Sequence, residues 1–405
     1  MLADFSKVVK YQQDRAGTLV ALGTALREQK RFGDAENLCR QALKIQESAS
    51  ARVQAVPLRR RQRADSYHQL GIALADLGKH EEAEAAFQQC IAIRQRLADA
   101  FPAAVEYRRS LAQGYNDLGK LRRARGKNDE AVEAYRRSLE LKNQLVADFG
   151  GLPGDRRYLA RTYANLGDLQ GHQRKYTEAE DNYRQAVRHL EKLAAESGGT
   201  ANDRLDLVSN RAQLGKALYL QGLPDKAVAE YDAGLAGLLA LPQQPAHSPS
   251  RRLLHNLHLG RARALSELNR AEEAREAWDR AVELAAPPER LRTRLERARW
   301  LAGSGKADEA VAEVETLTRD KDMPAPQLCT AAGVCARASA GVTEAGQREA
   351  YAGRALALLR RAQAAGFFKD RAKIERLKRD SDLAPLRQRQ DFRKLVAELE
   401  AAAKP

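Results

Sequence analysis

Apolar and small residues recur along this chain with a period of 48 residues, and five copies follow one another without a break. Each copy opens on a glycine that follows a leucine: Gly23, Gly71, Gly119, Gly167 and Gly215. An alanine stands twelve residues later: Ala35, Ala83, Ala131, Ala179 and Ala227. Four residues further comes a bulky or apolar side chain: Cys39, Phe87, Tyr135, Tyr183 and Tyr231. The apolar positions are three or four apart, which predicts two amphipathic helices in each copy.

Small residues on both helices of a copy predict that the two helices pack closely as an antiparallel hairpin. The aromatic side chain is predicted to fill the groove between one hairpin and the next. Between the two helices, Gly78, Gly126 and Gly222 supply the turn, because glycine suits the end of a helix. The acidic residues that follow these glycines suit the start of the second helix.

The regularity of the pattern divides the chain into four regions. We expect five regular units in residues 1–240, a Pro/Ser-rich joint in 241–252 and two less regular units in 253–320. Residues 321–405 are predicted to hold a degenerate unit and C-terminal helices that cap the array. The sequence Leu2-Ala-Asp-Phe5 repeats the linker Val146-Ala-Asp-Phe149, so the pattern predicts that the chain opens inside the linker of an earlier repeat.

The order of Leu-Gly, alanine and aromatic residue resembles the tetratricopeptide repeat (TPR), lengthened here from its usual size of about 34 residues. The resemblance implies an all-α fold, a right-handed superhelical solenoid of antiparallel helix pairs. It also implies a non-catalytic scaffold that binds a protein or peptide partner in its concave groove. The Ala-Asp-Phe linkers and the tail around Asp380–Leu386 are similar to TPR regions appended to bacterial serine/threonine protein kinases, which implies a regulatory or recruitment role.

The same resemblance places the first helix of each hairpin on the concave surface. The positions that share one face of these helices are mostly polar, and they form the predicted partner-binding site: Gln113, Asn116, Lys120, Arg123, Arg161, Asn165, Asp168, Gln213, Lys216 and Tyr219. Asn116, Asn165 and Gln213 are expected to hydrogen-bond the backbone of an extended peptide. Lys120, Arg123 and Lys216 are expected to favour acidic residues in it. The alternative is an ordinary solvated helix face.

The chain carries 69 basic and 54 acidic residues, a net charge of +15, with basic clusters at residues 59–63 and 369–379. Such charge attracts acidic proteins or nucleic acids. Proteins that bind single-stranded nucleic acid usually add exposed aromatic side chains for stacking. Aromatic residues make up only 5% of this chain and most are assigned to buried positions, so nucleic acid is the less favoured partner.

Candidate chemistry is sparse. Asp148-Phe149-Gly150 matches the magnesium-binding triplet of kinases, but no catalytic-loop motif or glycine-rich loop accompanies it. His255 and His258 lack companions at metal-ligand spacing. We therefore expect no active site, metal or cofactor.

The four cysteines are too few for a disulfide framework, and no apolar run reaches membrane-spanning length. These features favour a reducing compartment and a cytoplasmic location. Val8, Val9, Tyr11 and Leu19 have no preceding repeat to cover them, which leaves self-assembly through the N-terminal end as a further alternative.

Overall fold

A computed structural model describes residues 2–49, 51–150, 152–195, 200–240 and 249–403. Within these ranges the chain is α-helical, with two short 3-10 segments and no β-strand. The predicted all-α fold of paired helices is confirmed. The helices belong to two compact units, Met1–Gln221 and Gly222–Pro405, which are described separately.

In the described residues, the first unit consists of four helical hairpins, the short helix Ala51–Gln54 and one further helix, Ala201–Leu220. Its helices are α1 Leu2–Glu28, α2 Phe32–Glu47, the short α3 Ala51–Gln54, α4 Pro57–Asp76, α5 His80–Ala100, α6 Val105–Ala124, α7 Asn128–Phe149, α8 Pro153–His172, α9 Tyr176–Ala195 and α10 Ala201–Leu220. The hairpins are α1–α2, α4–α5, α6–α7 and α8–α9, and α10 packs on α9. Most of these helices span about 20 residues, which accounts for the long period of the sequence pattern.

The second unit has shorter helices over most of its length and a capping segment at its end. Its elements are α11 Pro224–Leu239, α12 Pro249–Glu267, α13 Ala271–Leu284, α14 Pro287–Gly303, α15 Ala307–Thr318, α16 Ala325–Ala340, α17 Ala345–Ala364, the 3-10 turn Phe367–Lys369, α18 Arg371–Arg379, the 3-10 segment Ser381–Leu386 and α19 Gln390–Ala402. Hairpins form between α12 and α13, α14 and α15, and α16 and α17, and the segment Ser381–Leu386 packs on α16. The predicted joint falls largely on residues 241–248, which lie outside the described ranges.

The recurring glycines of the first unit make room for aromatic rings. A Cβ atom placed on Gly71 would lie 2.9 Å from the Phe87 ring, and one on Gly119 would lie 2.8 Å from the Tyr135 ring. These two rings therefore lie against the glycine of their own hairpin. They also belong to core clusters that include leucines of the next hairpin, as Tyr135 does with Leu159 and Leu166, which agrees with the expectation that they fill the groove between hairpins. In the first hairpin a cysteine replaces the ring, and a Cβ atom on Gly23 would instead lie 3.3 Å from a backbone carbonyl oxygen of the second helix.

The turns inside the hairpins follow the predicted chemistry. Gly78 and Gly126 have φ angles of 75° and 74°, a left-handed conformation that glycine adopts without strain. In the hairpins α1–α2 and α8–α9 the left-handed residues are Lys30 and Arg174 instead, with φ angles of 62° and 61°. Glycine at this turn is therefore favoured but not required.

Candidate partner-binding face

The first helices of successive hairpins lie side by side in the first unit, and polar side chains join them. His68 Nε2 on α4 is 2.9 Å from Asp117 Oδ2 on α6. Asn165 on α8 donates from Nδ2 to Asn116 Oδ1 on α6 over 3.3 Å. We define the first-helix face as the sides of α4, α6 and α8 that carry these residues, together with the side of α10 that carries Gln213 and Lys216. It contains the predicted site.

Asp117 is the centre of this polar network. Besides His68, it accepts a hydrogen bond from Gln113 Nε2 at 2.6 Å and lies 2.9 Å from Lys120 Nζ. Burial would raise the pKa of this carboxyl, but the hydrogen bond from His68 and the charge of Lys120 outweigh it and hold the pKa well below its usual range. Asp117 is therefore an anion that its own neighbours already satisfy.

Asn116, which was expected to hydrogen-bond a peptide backbone, does not face solvent. Its side chain is fully buried, because it lies between α6 and α8 and pairs with Asn165 there. An amide in this position holds two repeats together and offers nothing to a peptide. Asn165 is half-buried beside it, so the predicted row of peptide-binding amides is in part a contact between neighbouring repeats.

Three of the predicted cations are also engaged within the chain. Lys120 pairs with Asp117, and Arg123 Nη1 lies 3.7 Å from Asp168 Oδ2 on the next first helix. The guanidinium of Arg161 lies 4.7 Å from the centre of the Tyr158 ring. Their charge is thus partly used in holding the face together.

A cleft of about 70 Å³ opens between α8, α9 and α10. It is lined by Asp168, Gly171, His172, Tyr176, Tyr183, Gln213, Lys216, Ala217 and Leu220. Three predicted site residues, Asp168, Gln213 and Lys216, therefore meet at one recess. Tyr219 is half-buried on α10 and is not part of the lining.

The floor and the rim of this cleft differ in charge. On the floor, the Tyr183 hydroxyl donates to Asp168 Oδ1 at 2.6 Å, and burial together with the Asp168 charge raises the pKa of Tyr183 far above its usual range. On the rim, Lys216 is exposed and has no carboxylate within ion-pair distance among the described residues. Leu220 adds an apolar wall that is 42% exposed. The cleft thus combines a basic rim with an apolar side.

Sequence reasoning missed the role of His68 and the two cleft residues Tyr176 and Leu220. The pair His68–Asp117 and the pair Asn116–Asn165 are each separated by 49 residues, one more than the repeat period. Polar residues spaced 49 apart therefore indicate contacts between neighbouring first helices. Considering each helix by itself overlooks this signal. Nothing comparable in the sequence indicates Tyr176 or Leu220, because the cleft depends on how α9 packs beside α10.

The remaining candidate chemistry has structural explanations. His255 is buried, and its Nδ1 lies 2.9 Å from the Ala281 carbonyl oxygen. Phe149 ends α7, with the Arg108 guanidinium 5.4 Å from its ring centre. In the described ranges no three His, Cys, Asp or Glu side chains come together in a way that would hold a metal ion. Among the helices described here, none has the length and apolar character needed to cross a bilayer.

Family models of the tetratricopeptide repeat match residues 14–96, 62–144 and 160–188. No curated protein matches the chain in sequence. Several solved structures share its repeat architecture. The apo form of RapI is 12% identical, with 86% of this chain and 99% of that chain covered and a TM-score of 0.47. A putative kinesin light chain from Podosopora anserina is 19% identical, with 58% and 99% covered and a TM-score of 0.42.

A third solved structure is YrrB, described as a TPR protein with an unusual peptide-binding site. It is 16% identical, with 61% of this chain and 97% of that chain covered and a TM-score of 0.38. At such identities the likeness concerns the fold alone. Residues 14–144 and 160–188 of the chain therefore contain tetratricopeptide repeats, the family whose models match them.

Proposed function

We propose that the chain is an interaction scaffold that binds a protein or peptide partner on the first-helix face, and that the α8–α10 cleft takes an acidic side chain of that partner. The observation that carries this proposal is Lys216. It is exposed at the rim of a formed cleft, and no described carboxylate neutralises it. Lys120 and Arg123, by contrast, already face carboxylates of the chain.

The surroundings of Lys216 support an acidic ligand. Asp168 is the one carboxylate in the cleft lining, and the Tyr183 hydroxyl and Arg123 already occupy it, so it repels an incoming anion less than an unpartnered carboxylate would. Leu220 and Tyr176 offer apolar contact to the aliphatic part of a glutamate side chain. A charge-assisted hydrogen bond to Lys216 then adds specificity, because such bonds are stronger than neutral ones.

The test uses fluorescence anisotropy with the full chain and an array of labelled peptides that place one Glu in varied apolar surroundings, each with a Gln counterpart. We expect the tightest peptides to require Glu. Lys216→Gln should weaken their binding by roughly tenfold, since one charged hydrogen bond is worth about 1.5–3 kcal/mol.

Lys192→Gln serves as the matched control, because Lys192 is an exposed lysine on α9 outside the cleft lining. Equal binding of the Glu and Gln peptides would refute the acidic preference. Equal losses of affinity in the Lys216 and Lys192 variants would show that the binding site lies outside the cleft.

Self-assembly is a second candidate function. Leu22 on α1 is 50% exposed, whereas its counterparts one and two repeats later, Leu70 and Leu118, are 6% and 4% exposed. Tyr11 on the same helix is 70% exposed. Light scattering of the Tyr11→Ser/Leu22→Ser variant beside the parent chain tests this: self-assembly predicts a smaller particle for the variant, and equal masses of single chains contradict it.

Nucleic-acid binding through the basic clusters is the remaining alternative. It predicts affinity that falls steeply with salt and does not respond to Lys216→Gln. The association with a kinase and the cytoplasmic location stay predictions of the sequence.

A further inference from the structure

An arginine-lined recess lies at the joint between the first two hairpins, far along the chain from the α8–α10 cleft. Its volume is about 10 Å³, enough to admit one oxygen-sized group. Residues from α1, α2, α3 and α4 and from the turn after α2 line it: Gln13, Gln46, Ala49, Val53, Gln54, Arg59, Arg60 and Arg63. Three side chains in this lining are cationic and none is acidic.

The three arginines are held by neutral oxygens. Arg59 Nη1 donates to Gln62 Oε1 at 2.9 Å, Arg60 Nε donates to the Gln54 carbonyl oxygen at 3.4 Å, and Arg63 Nη1 donates to Gln54 Oε1 at 3.4 Å. No carboxylate of the described residues forms an ion pair with any of them. Two nearby carboxylates are engaged elsewhere: Glu47 accepts from the Tyr67 hydroxyl, and Asp65 pairs with Arg94.

Two buried polar atoms at the recess lack a hydrogen-bond partner. Gln46 is only 5% exposed, and its Oε1 accepts no hydrogen bond; the Nε of Arg63 donates none. A buried polar atom without a partner destabilises the fold, because the hydrogen bond that it had with water is lost. The side-chain amide of Gln46 has a donor and an acceptor end, and an anion in the recess is served by the donor end once the amide turns its Nε2 towards it. These atoms indicate a binding site rather than a solvated surface.

At the corresponding positions, the contacts between later hairpins have residues of a different kind. Eight residues before the repeat glycine, the third and fourth repeats have Leu111 and Leu159, both fully buried, where the second repeat has Arg63. Twelve residues before the glycine, the fourth and fifth repeats have Asp155 and Asp203, where the second has Arg59.

Those two aspartates pair with arginines of the preceding first helix, Arg109 and Arg157. Between the first two hairpins, cations therefore occupy the positions of a core leucine and of an ion-pairing carboxylate. Partly buried cations without counter-charge are unfavourable, so a bound anion explains their presence.

We propose that this recess binds a phosphate group, either as free phosphate or on a phosphorylated side chain of a partner. Three guanidinium groups around one recess suit a dianion with several acceptor oxygens better than a single carboxylate, because each guanidinium presents a fork of donors. One phosphate oxygen enters the recess and accepts hydrogen bonds from Arg63 Nε and from the reoriented Gln46 Nε2. The other oxygens remain at the mouth beside Arg59 and Arg60.

The experiment is calorimetric titration of the full chain at constant ionic strength, with chloride as the background anion. The probes are inorganic phosphate, a phosphoserine peptide in a Gly/Ala host, and the same peptide with unmodified serine. We expect phosphate or the phosphopeptide to bind and the serine peptide not to bind. Tighter binding of the phosphopeptide than of phosphate identifies a phosphorylated partner as the source, and equal binding identifies a small-ion site.

The decisive variant is Arg63→Leu, which installs the residue that the later joints carry and so preserves folding. It should weaken phosphate binding at least tenfold while the melting temperature is kept or raised. Arg136→Gln, at an exposed arginine of α7, is the matched control and should bind as the parent does. Lys216→Gln should also leave phosphate binding unchanged, which separates this site from the acidic-peptide cleft. Binding of phosphate no tighter than chloride, or full binding by Arg63→Leu, overturns the proposal.

Discussion

Two hairpins, one from each unit, close with different chemistry. In the first unit an aromatic ring lies against a glycine of the facing helix, as Tyr135 does against Gly119. In the second unit the hairpin α14–α15 closes on buried alanines, and beside them Glu313 accepts from Arg294 at 2.8 Å and from Arg297 at 2.6 Å. Arg297 also reaches Asp279 of the preceding helix α13.

The two hairpins also differ in how completely side chains fill the space between their helices. Tyr135 is fully buried. Between α13, α14 and α15, in contrast, there is a cleft of about 270 Å³ whose lining holds three arginines, three carboxylates and Trp300. The same hairpin fold therefore tolerates either a ring that fills its gap or an ion network that spans it. Four substitutions test this contrast, from the largest expected effect to the smallest.

Removing the Tyr135 ring should have the largest effect. Tyr135→Ala leaves a cavity beside Gly119 and should lower the free energy of unfolding by about 3–5 kcal/mol. The measurement is chemical denaturation followed by circular dichroism. Tyr11→Ala removes a tyrosine that is 70% exposed and should change the transition little, so equal effects of the two would contradict the packing role of the ring.

Breaking the ion network of the second unit should come next. Arg297→Met leaves the buried Glu313 with one arginine and removes the ion pair with Asp279 of α13. It should lower the free energy of unfolding by about 1.5–3 kcal/mol, the usual value of a charged hydrogen bond. Both tryptophans of the chain lie in this unit, so tryptophan fluorescence during denaturation reports on it. Arg275→Met removes a more exposed pair with Glu309 and should cost less than about 1 kcal/mol. A larger loss of stability in Arg275→Met than in Arg297→Met would show that the ion network around Glu313 does not stabilise these helices.

A methyl group added at Gly119 should also destabilise the first unit. It would lie 2.8 Å from the Tyr135 ring, and such overpacking costs about 1–3 kcal/mol. Gly17→Ala in α1 meets no neighbour within 4 Å and should stabilise by about 0.5–1 kcal/mol, because alanine favours helix. In the Gly119→Ala/Tyr135→Ala variant the methyl group should cost little, since the ring that it meets is gone. A methyl cost that persists there would mean that the ring is not the obstacle.

A buried lysine should make the stability of the first unit depend on pH. Lys142 is 5% exposed and donates to Thr162 Oγ1 at 2.8 Å, and burial lowers its pKa to about 7. Between about pH 7 and the ordinary lysine pKa of about 10.4, the unfolded chain holds a proton that the folded chain has lost. Stability therefore rises with pH across that window and gains nothing further above it.

Lys142→Met should be more stable than the parent at pH 6 by more than about 1 kcal/mol, and its stability should depend less on pH. Denaturation series at pH 6 and pH 9 measure both quantities. Lys192→Met, at an exposed position, should follow the parent at each pH. Equal slopes for the parent and Lys142→Met would show that the amine is not neutral in the folded chain.

The sequence predicted the hairpins and their turns well, because both depend on local spacing. The glycine–alanine–aromatic order identified the buried positions, including Trp278, which is 3% exposed. The contact of each ring with the glycine of its own hairpin was not predicted, since periodicity shows that two residues share a face but not which neighbour lies opposite.

The candidate site was predicted less well than the fold. One-helix reasoning placed Asn116 on an exposed face, but a first helix has neighbours on both sides, and Asn116 points to one of them. The cleft at Lys216 depends on three helices, and the arginine recess depends on residues from four. Such sites arise from the stacking of repeats, which the pattern within one repeat does not describe.

The hydrogen bonds between successive first helices have one further consequence. Asp117 on α6 is tied at once to His68 of the previous repeat and to Lys120 of its own. A ligand that drew Lys120 away would change the hold of that carboxylate on the hairpin before it. We therefore expect occupancy at one repeat to alter its neighbour, so that the row of helices would respond as a short linear lattice rather than as a set of independent sites.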